Sequence, residues 1–222
     1  MTTRFQKILT LWLLAGAAAF AVAWQFDDAA GRALIVRNDP GLHSFAAFCS
    51  KLGEGWVVIV AGLVGAGFFL LLKRPSLAAQ IFFIAFTSSI AGLAATILRT
   101  LIGRTRPNNH VIEQGHVIGQ GIYGVWHAGH WLIGQAAFAA LPSGHAATAA
   151  GVAAAAWLVN RAWGAAFAIY ALAVMWSRIA LEMHHLSDVT ASLFLAVVIA
   201  LWLRKNFAAA NEILFHRLAQ KL

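Results

Sequence analysis

The stretch 77-LAAQIFFIAFTSSIAGLAATILRTLIGRTRP-107 decides the fold class. From Leu77 to Leu98 it carries no charged residue; Arg99, Arg104 and Arg106 then follow within eight positions, and Pro107 closes the segment. An uncharged run of this length is what a helix needs to cross the ~30 Å hydrocarbon core of a bilayer. The arginines stand where hydrocarbon gives way to headgroups, and the proline ends the helix. The segment reads as a membrane span that terminates in concentrated positive charge.

The rest of the chain agrees. Of its 222 residues, 61% are hydrophobic and 11% charged, and the mean hydropathy is +0.74. A soluble domain is about half apolar and a quarter charged. Five further apolar runs, Ile8–Trp24, Trp56–Leu72, Ala146–Asn160, Trp163–Ala180 and Val189–Leu203, join Leu77–Leu98. Several are shorter than the ~20 residues of a full span and gain length from neutral flanks. The expectation is an all-α polytopic membrane protein, six transmembrane helices in one domain over residues 1–222. The first run lacks a small-x-small site before Asp27–Asp28 and reads as retained, not as a cleaved signal. Cys49, the only cysteine, cannot form an internal disulfide and reads as a small apolar helix residue.

The net charge of +8 is spread between the hydrophobic runs. That excludes a basic arm or stripe for nucleic acid and assigns the charge to topology and anion chemistry. With the N-terminus inside, the inner segments hold nine Lys and Arg, including the tight turns at Lys73–Arg74 and Arg161, against seven outside. The positive-inside rule then places both termini in the cytoplasm, with Trp24 and Trp56 at the outer interface and Trp163 and Trp202 at the inner one. Gln25–Gly55, outside, spaces Leu42, Phe45, Phe48, Cys49 and Leu52 as an amphipathic helix on the membrane surface. Asn206–Leu222, inside, does the same with Phe207, Ile213, Leu214 and Leu218. Asn108–Leu141 is a Gly-, His- and aromatic-rich outer loop whose length points to function. Within it, His127 and His130 are too few to argue for a metal. Gly119-x-Gly121-x-x-Gly124 lacks the strand and βαβ context of a dinucleotide site.

Ionisable groups gather outside: eight of nine histidines and seven of eight carboxylates fall in outer segments. Such groups at membrane depth are costly and mark a functional site. Beside RTLIGRTRP, two further segments carry them. In PSGH, Pro142–His145, Ser143 can cap the fourth span, Gly144 permits close backbone approach, and the free N–H groups of the helix start suit an anion. In SRIALEMHHLSD, Ser177–Asp188, His184 and Asp188 are four apart and share a helix face, so the carboxylate can fix the imidazole tautomer. Each segment alone also reads as ordinary interfacial structure. Span counting, however, puts all three on one side of the membrane. Together they supply an anion cradle, a histidine oriented by an aspartate, and a second histidine. Those are the parts of metal-free covalent phosphoryl transfer, in which one histidine attacks phosphorus and the other moves the proton.

These segments, with six spans around them, resemble the signature of the type 2 phosphatidic acid phosphatase family: K-x6-RP, PSGH and SR-x5-H-x3-D. The spacings fit at Arg99 to Arg106–Pro107, Pro142–His145, and Ser177–Arg178 to His184 to Asp188. The resemblance implies His184 as nucleophile, Asp188 as its orienting partner and His145 as general acid and later base. It implies Arg99, Arg106, Ser143, Gly144 and Arg178 as the phosphate cradle. Arg99 departs from the pattern, standing where the family has Lys; its planar fork reaches and binds differently. Arg104 and His185 have no signature role and remain secondary candidates. No metal or cofactor is implied. The implied substrates are lipid phosphates or diphosphates, such as undecaprenyl diphosphate, phosphatidylglycerol phosphate, phosphatidic acid or lipid A phosphate, cleaved at the periplasmic face of an inner membrane. A phosphotransferase using a second lipid as acceptor is the alternative, and a non-catalytic lipid-binding or transport protein the remote one. The related vanadate-dependent haloperoxidases are soluble, which six spans argue against. Headgroup, chain and oligomeric state are not encoded in any readable pattern.

Overall fold

The computed structural model describes residues 3–108, 111–113, 116–118 and 121–221. The helices run in the order α1 (Thr3–Gln25), α2 (Asp27–Leu34), α3 (Pro40–Leu52), α4 (Gly55–Leu71), α5 (Pro75–Ile102), α6 (Gly144–Val159), α7 (Arg161–Ala180), α8 (Leu186–Asn206) and α9 (Ala208–Ala219). All six apolar runs fall on helices: α1 and α4 to α8. Among the described residues, α1, α5, α7 and α8 are each long and apolar enough to cross a membrane. The α3–α4 pair, bent by 55°, passes the same test together, as a broken span or a re-entrant loop. At 16 residues, α6 reaches about 24 Å, short of the hydrocarbon thickness. The six-span expectation is approximately met: four helices qualify alone, and α4 and α6, at 17 and 16 residues, are short.

Helix α6 is the centre of the bundle, packing against α5, α7 and α8. Its sequence explains how. Ala146, Ala147, Ala149, Ala150, Ala155 and Ala156 are fully buried, and residues this small let backbones approach closely. Gly151 lies against the α5 backbone: a Cβ there would stand 2.8 Å from the Ser88 Cα. Ser88 Oγ in turn donates to the Thr148 carbonyl at 2.7 Å. Many large apolar side chains point the other way. Leu11, Val64, Leu71, Ile169 and Leu172 are all exposed, as expected where lipid covers the outer face.

The outer amphipathic segment is present but is two helices, α2 and α3, broken at 35–39 and restarted by the Asp39 side chain, which accepts from Leu42 N at 2.9 Å. On α3, Leu42, Phe45, Phe48 and Leu52 are exposed as one stripe, whereas Cys49 turns inward with Ala46 and Ser50 to meet α7. Stripe and buried face thus divide the helix, and Cys49 belongs to the second. On the other end, α9 keeps Ile213, Leu214 and Leu218 exposed but packs Phe215 and Asn211 back onto α5; Asn211 Nδ2 donates to the Ala79 carbonyl at 2.7 Å. The long outer loop folds into two short antiparallel pairs, β1 (Val111–Glu113) with β2 (His116–Ile118) and β3 (Trp126–His127) with β4 (His130–Trp131). Gly119 lies outside the described residues. His127 and His130 face each other across the second pair, and no group of three or more His, Cys, Asp or Glu among the described residues is placed to hold a metal.

Candidate active site

The C-terminal ends of α5 and α7 and the N-terminal ends of α6 and α8 meet, and backbone hydrogen bonds at three turns bring them together. At the end of α5, Gly103 adopts φ 62°, ψ 44° and its N–H returns to the Arg99 carbonyl at 3.2 Å. This left-handed stop needs glycine twice over. A Cβ would land 1.8 Å from the Gly124 carbonyl oxygen. The chain then lies along the outer loop: Arg106 N donates to the Ala137 carbonyl at 2.8 Å, and Ala140 N donates to the Arg104 carbonyl at 3.1 Å. At the start of α6, the Ser143 hydroxyl caps Ala146 N at 3.4 Å. Ser192 Oγ of α8 donates to the Ser143 carbonyl at 3.0 Å. At the end of α7, the N–H groups of Met183 and His184 fold back onto the Arg178 carbonyl at 3.0 and 3.1 Å.

One residue joins the pieces. Ala140 gives its N–H to Arg104, in the first motif, and its carbonyl takes a 2.7 Å hydrogen bond from His184 Nδ1, in the third. A carbonyl oxygen can only accept, so Nδ1 carries the proton and Nε2 keeps its lone pair. Asp188 Oδ2 stands 3.8 Å from the same Nδ1, beyond hydrogen-bond length. The shared helix face expected for His184 and Asp188 does not arise, because His184 precedes the first turn of α8. The carboxylate acts on the imidazole through its charge, while Ala140 sets the tautomer. Burial pushes the His184 imidazole down to about 4; Asp188 opposes that shift, and Arg178 and Arg106 add to it.

The three signature arginines surround the two histidines. His145 lies within electrostatic reach of Arg178, His184, Arg99 and Arg106. The space of a Cβ on Gly144 would be 3.5 Å from Arg99 Nη1, so the glycine sits at the guanidinium's edge. Burial, then the neighbouring Arg99, pushes the Arg106 guanidinium down, with Asp188 drawing it back up. Arg178 is buried, donates through Nη1 to Ser50 Oγ of α3, and has no partner for its Nε. Arg106 Nε is likewise buried without a partner. Buried guanidinium N–H groups without acceptors beside other cations make a site that a polyanion would satisfy.

The structure thus brings Arg99, Arg106, Ser143, Gly144, His145, Arg178, His184 and Asp188 together. The two secondary candidates are held by protein partners, although Arg104 Nε, like those of Arg106 and Arg178, is buried without one. Arg104, almost fully buried, gives Nη1 to Asp188 Oδ1 at 2.5 Å and Ser187 Oγ at 2.6 Å, and Nη2 to Asp27 Oδ2 at 2.8 Å. His185 donates from Nε2 to the Thr105 carbonyl at 3.2 Å, and its ring accepts from Asp188 N as the cap of α8. Asp27, Ser50 and Ala140 had no signal in a single sequence beyond the outer position of the first two.

The PAP2 superfamily model matches residues 76–212. No curated protein matches the chain by sequence at comparable significance. Among solved structures, the first transmembrane PAP2-type phosphatidylglycerolphosphate phosphatase from Bacillus subtilis is similar, with a TM-score of 0.62 at 20% identity over 91% of this chain and 94% of its own. Aquifex aeolicus LpxE is similar at a TM-score of 0.50 and 17% identity, over 79% of this chain and 92% of its own. With more than half its length matched by the family model, the chain belongs to the PAP2 superfamily, as a multi-pass membrane protein with the fold of its membrane phosphatases.

Proposed function

We propose that the chain is a lipid phosphatase that hydrolyses a lipid phosphate or diphosphate without a metal, through phosphate bound covalently to His184. The observation that carries this reading is the His184 tautomer, fixed by the Ala140 carbonyl beside Arg178 and Arg106. Nε2 attacks phosphorus as the bond from phosphorus to the lipid oxygen breaks. His145 gives its proton to that departing oxygen. Water then attacks the phosphohistidine, His145 takes a proton from it, the phosphorus–nitrogen bond breaks, and inorganic phosphate leaves. Arg99, Arg106 and Arg178, with Ser143 and the Gly144 N–H, hold the phosphoryl oxygens through both steps and stabilise their charge.

An apolar cavity of about 650 Å³ supports a lipid over a soluble phosphate ester. Val58, Ile81, Val152, Phe167 and Tyr170 line it between α4, α5, α6 and α7. Its rim at Leu52 accepts from Tyr170 Oη at 2.8 Å, one residue before Gly53. The Cβ space of Gly53 abuts the His145 Cβ at 3.3 Å. The cavity thus ends at Leu52, next to the Gly53 that borders His145, and its apolar lining suits a lipid chain. The activity in the name of the Bacillus neighbour makes phosphatidylglycerolphosphate the first lipid to assay. The charge distribution supports both termini in the cytoplasm and the site at the periplasmic face of an inner membrane, with residues 1–222 acting as one unit.

The test is phosphate release from a panel of lipid phosphates and diphosphates in detergent. Wild type should release phosphate from at least one, undiminished in EDTA. His184→Ala should lose turnover by at least about 1,000-fold, the scale of losing a covalent nucleophile. Full activity in His184→Ala would sink the reading.

A further inference from the structure

Asp188 is held by a second set of partners to which the signature assigns no role. Its Oδ1 accepts from Arg104 Nη1 at 2.5 Å, and its Oδ2 accepts from His185 N at 2.8 Å. The other arm of Arg104 reaches Asp27 at 2.8 Å, and its guanidinium carbon lies 3.9 Å above the Trp24 ring. Asp27 does more than balance charge. Its Oδ1 accepts from Ser187 N at 2.8 Å and its Oδ2 from Ser187 Oγ at 2.6 Å. It therefore caps the first turn of α8 from another helix, satisfying an N–H that α8 cannot satisfy itself. Asp27, Arg104 and Asp188 are all buried. A buried chain of this kind costs heavily if any member is left unpaired, and so has one geometry.

Position along the chain sharpens the point. Asp27 lies at the junction of α1 and α2, ahead of the matched family segment 76–212. Among the described residues of that segment, Asp188 has backbone and Arg104 partners to hold it at 3.8 Å from His184. The α1–α2 junction supplies the remaining constraint, fixing both the guanidinium that grips Asp188 and the helix turn that carries it. We infer that Asp27, acting through Arg104 and Ser187, is a positioning residue for the phosphorylated histidine, setting Asp188 and thereby His184 for attack. This rests on the phosphatase reading proposed above.

The experiment compares wild type, Asp27→Asn, Arg104→Gln and the double variant. It measures kcat and KM on the best lipid substrate, and thermal stabilisation by inorganic phosphate. Asp27→Asn is the variant that guards against misfolding, since Arg104 keeps Asp188 as its counter-charge and a lone buried charge is the costly case. Arg104→Lys tests whether charge without the fork suffices. The expected result is a fall in kcat of up to about 100-fold in each single variant, the scale of a misplaced reacting group. KM and phosphate stabilisation should stay within about twofold of wild type, because the cradle arginines are untouched. The double variant should be no worse than the poorer single, since all three break one chain. Arg104→Lys should recover less than half of the lost kcat. Wild-type kcat in the folded single or double variants, or losses that multiply in the double, would overturn the inference and leave the phosphatase reading standing. Loss of KM and phosphate stabilisation in step with kcat would also overturn it, by showing a general structural role. A wild type that turns over no lipid phosphate would remove both.

Discussion

His184 owes its chemistry to being dry. Unperturbed imidazole titrates near about 6.5, but burial pushes this one down to about 4, against the pull of Asp188. Only the neutral ring can attack phosphorus, so the sign is plain: activity is present above the depressed value and lost as pH falls through it. Once substrate ionisation is divided out, the acid limb of kcat/KM should fall near pH 4. A limb near about 6.5 would mean a solvated, ordinary histidine. The reactive residues were legible in the sequence because their types and spacings are a chemical pattern. Ala140 and Asp27 were not. One acts through its backbone carbonyl, which any residue possesses, and the other meets its partners Arg104 and Ser187 only after the chain has folded.

Helices place these residues through close contacts at small side chains. The bend between α3 and α4 puts Gly53 against both α7 and His145: an added Cβ would stand 2.6 Å from Val174 Cγ1 and 3.3 Å from His145 Cβ. Gly53 has φ −85°, so alanine suits the backbone and only space opposes it. Val174 is fully buried and cannot yield alone. Gly53→Ala should cost about 1–3 kcal/mol of stability and lower kcat, because relief moves the joint that borders the proton donor. Thermal melting and turnover measured on one preparation check this; unchanged values in both would show the contact to be slack. The existence of each helix was legible from uncharged runs. Its limits were less so, because apolar composition sets where a helix is stable but not where a cap stops it. Asp39 and Gly103 provide such stops, dividing the outer segment and ending α5.

The molecule as a whole buries small residues beside a few large ones such as Phe83 and Ile84, and still exposes many large apolar side chains. Alanines and glycines fill the centre around α6. Composition alone announced a membrane protein. The two short strand pairs of the outer loop were hidden because too few residues alternate to show a period. What the architecture achieves is convergence: Arg99, His145 and Arg178 from three helices and His184 from the turn before α8 come within electrostatic reach of one another in one positively charged site. The most direct test of that convergence is to quench wild type during turnover of a lipid diphosphate labelled on its terminal phosphate. The label should be recovered on His184 as an acid-labile phosphohistidine, absent from His184→Ala, and should pass on to free phosphate and not to a second lipid. Turnover at full rate with no label ever bound to His184 would contradict the account.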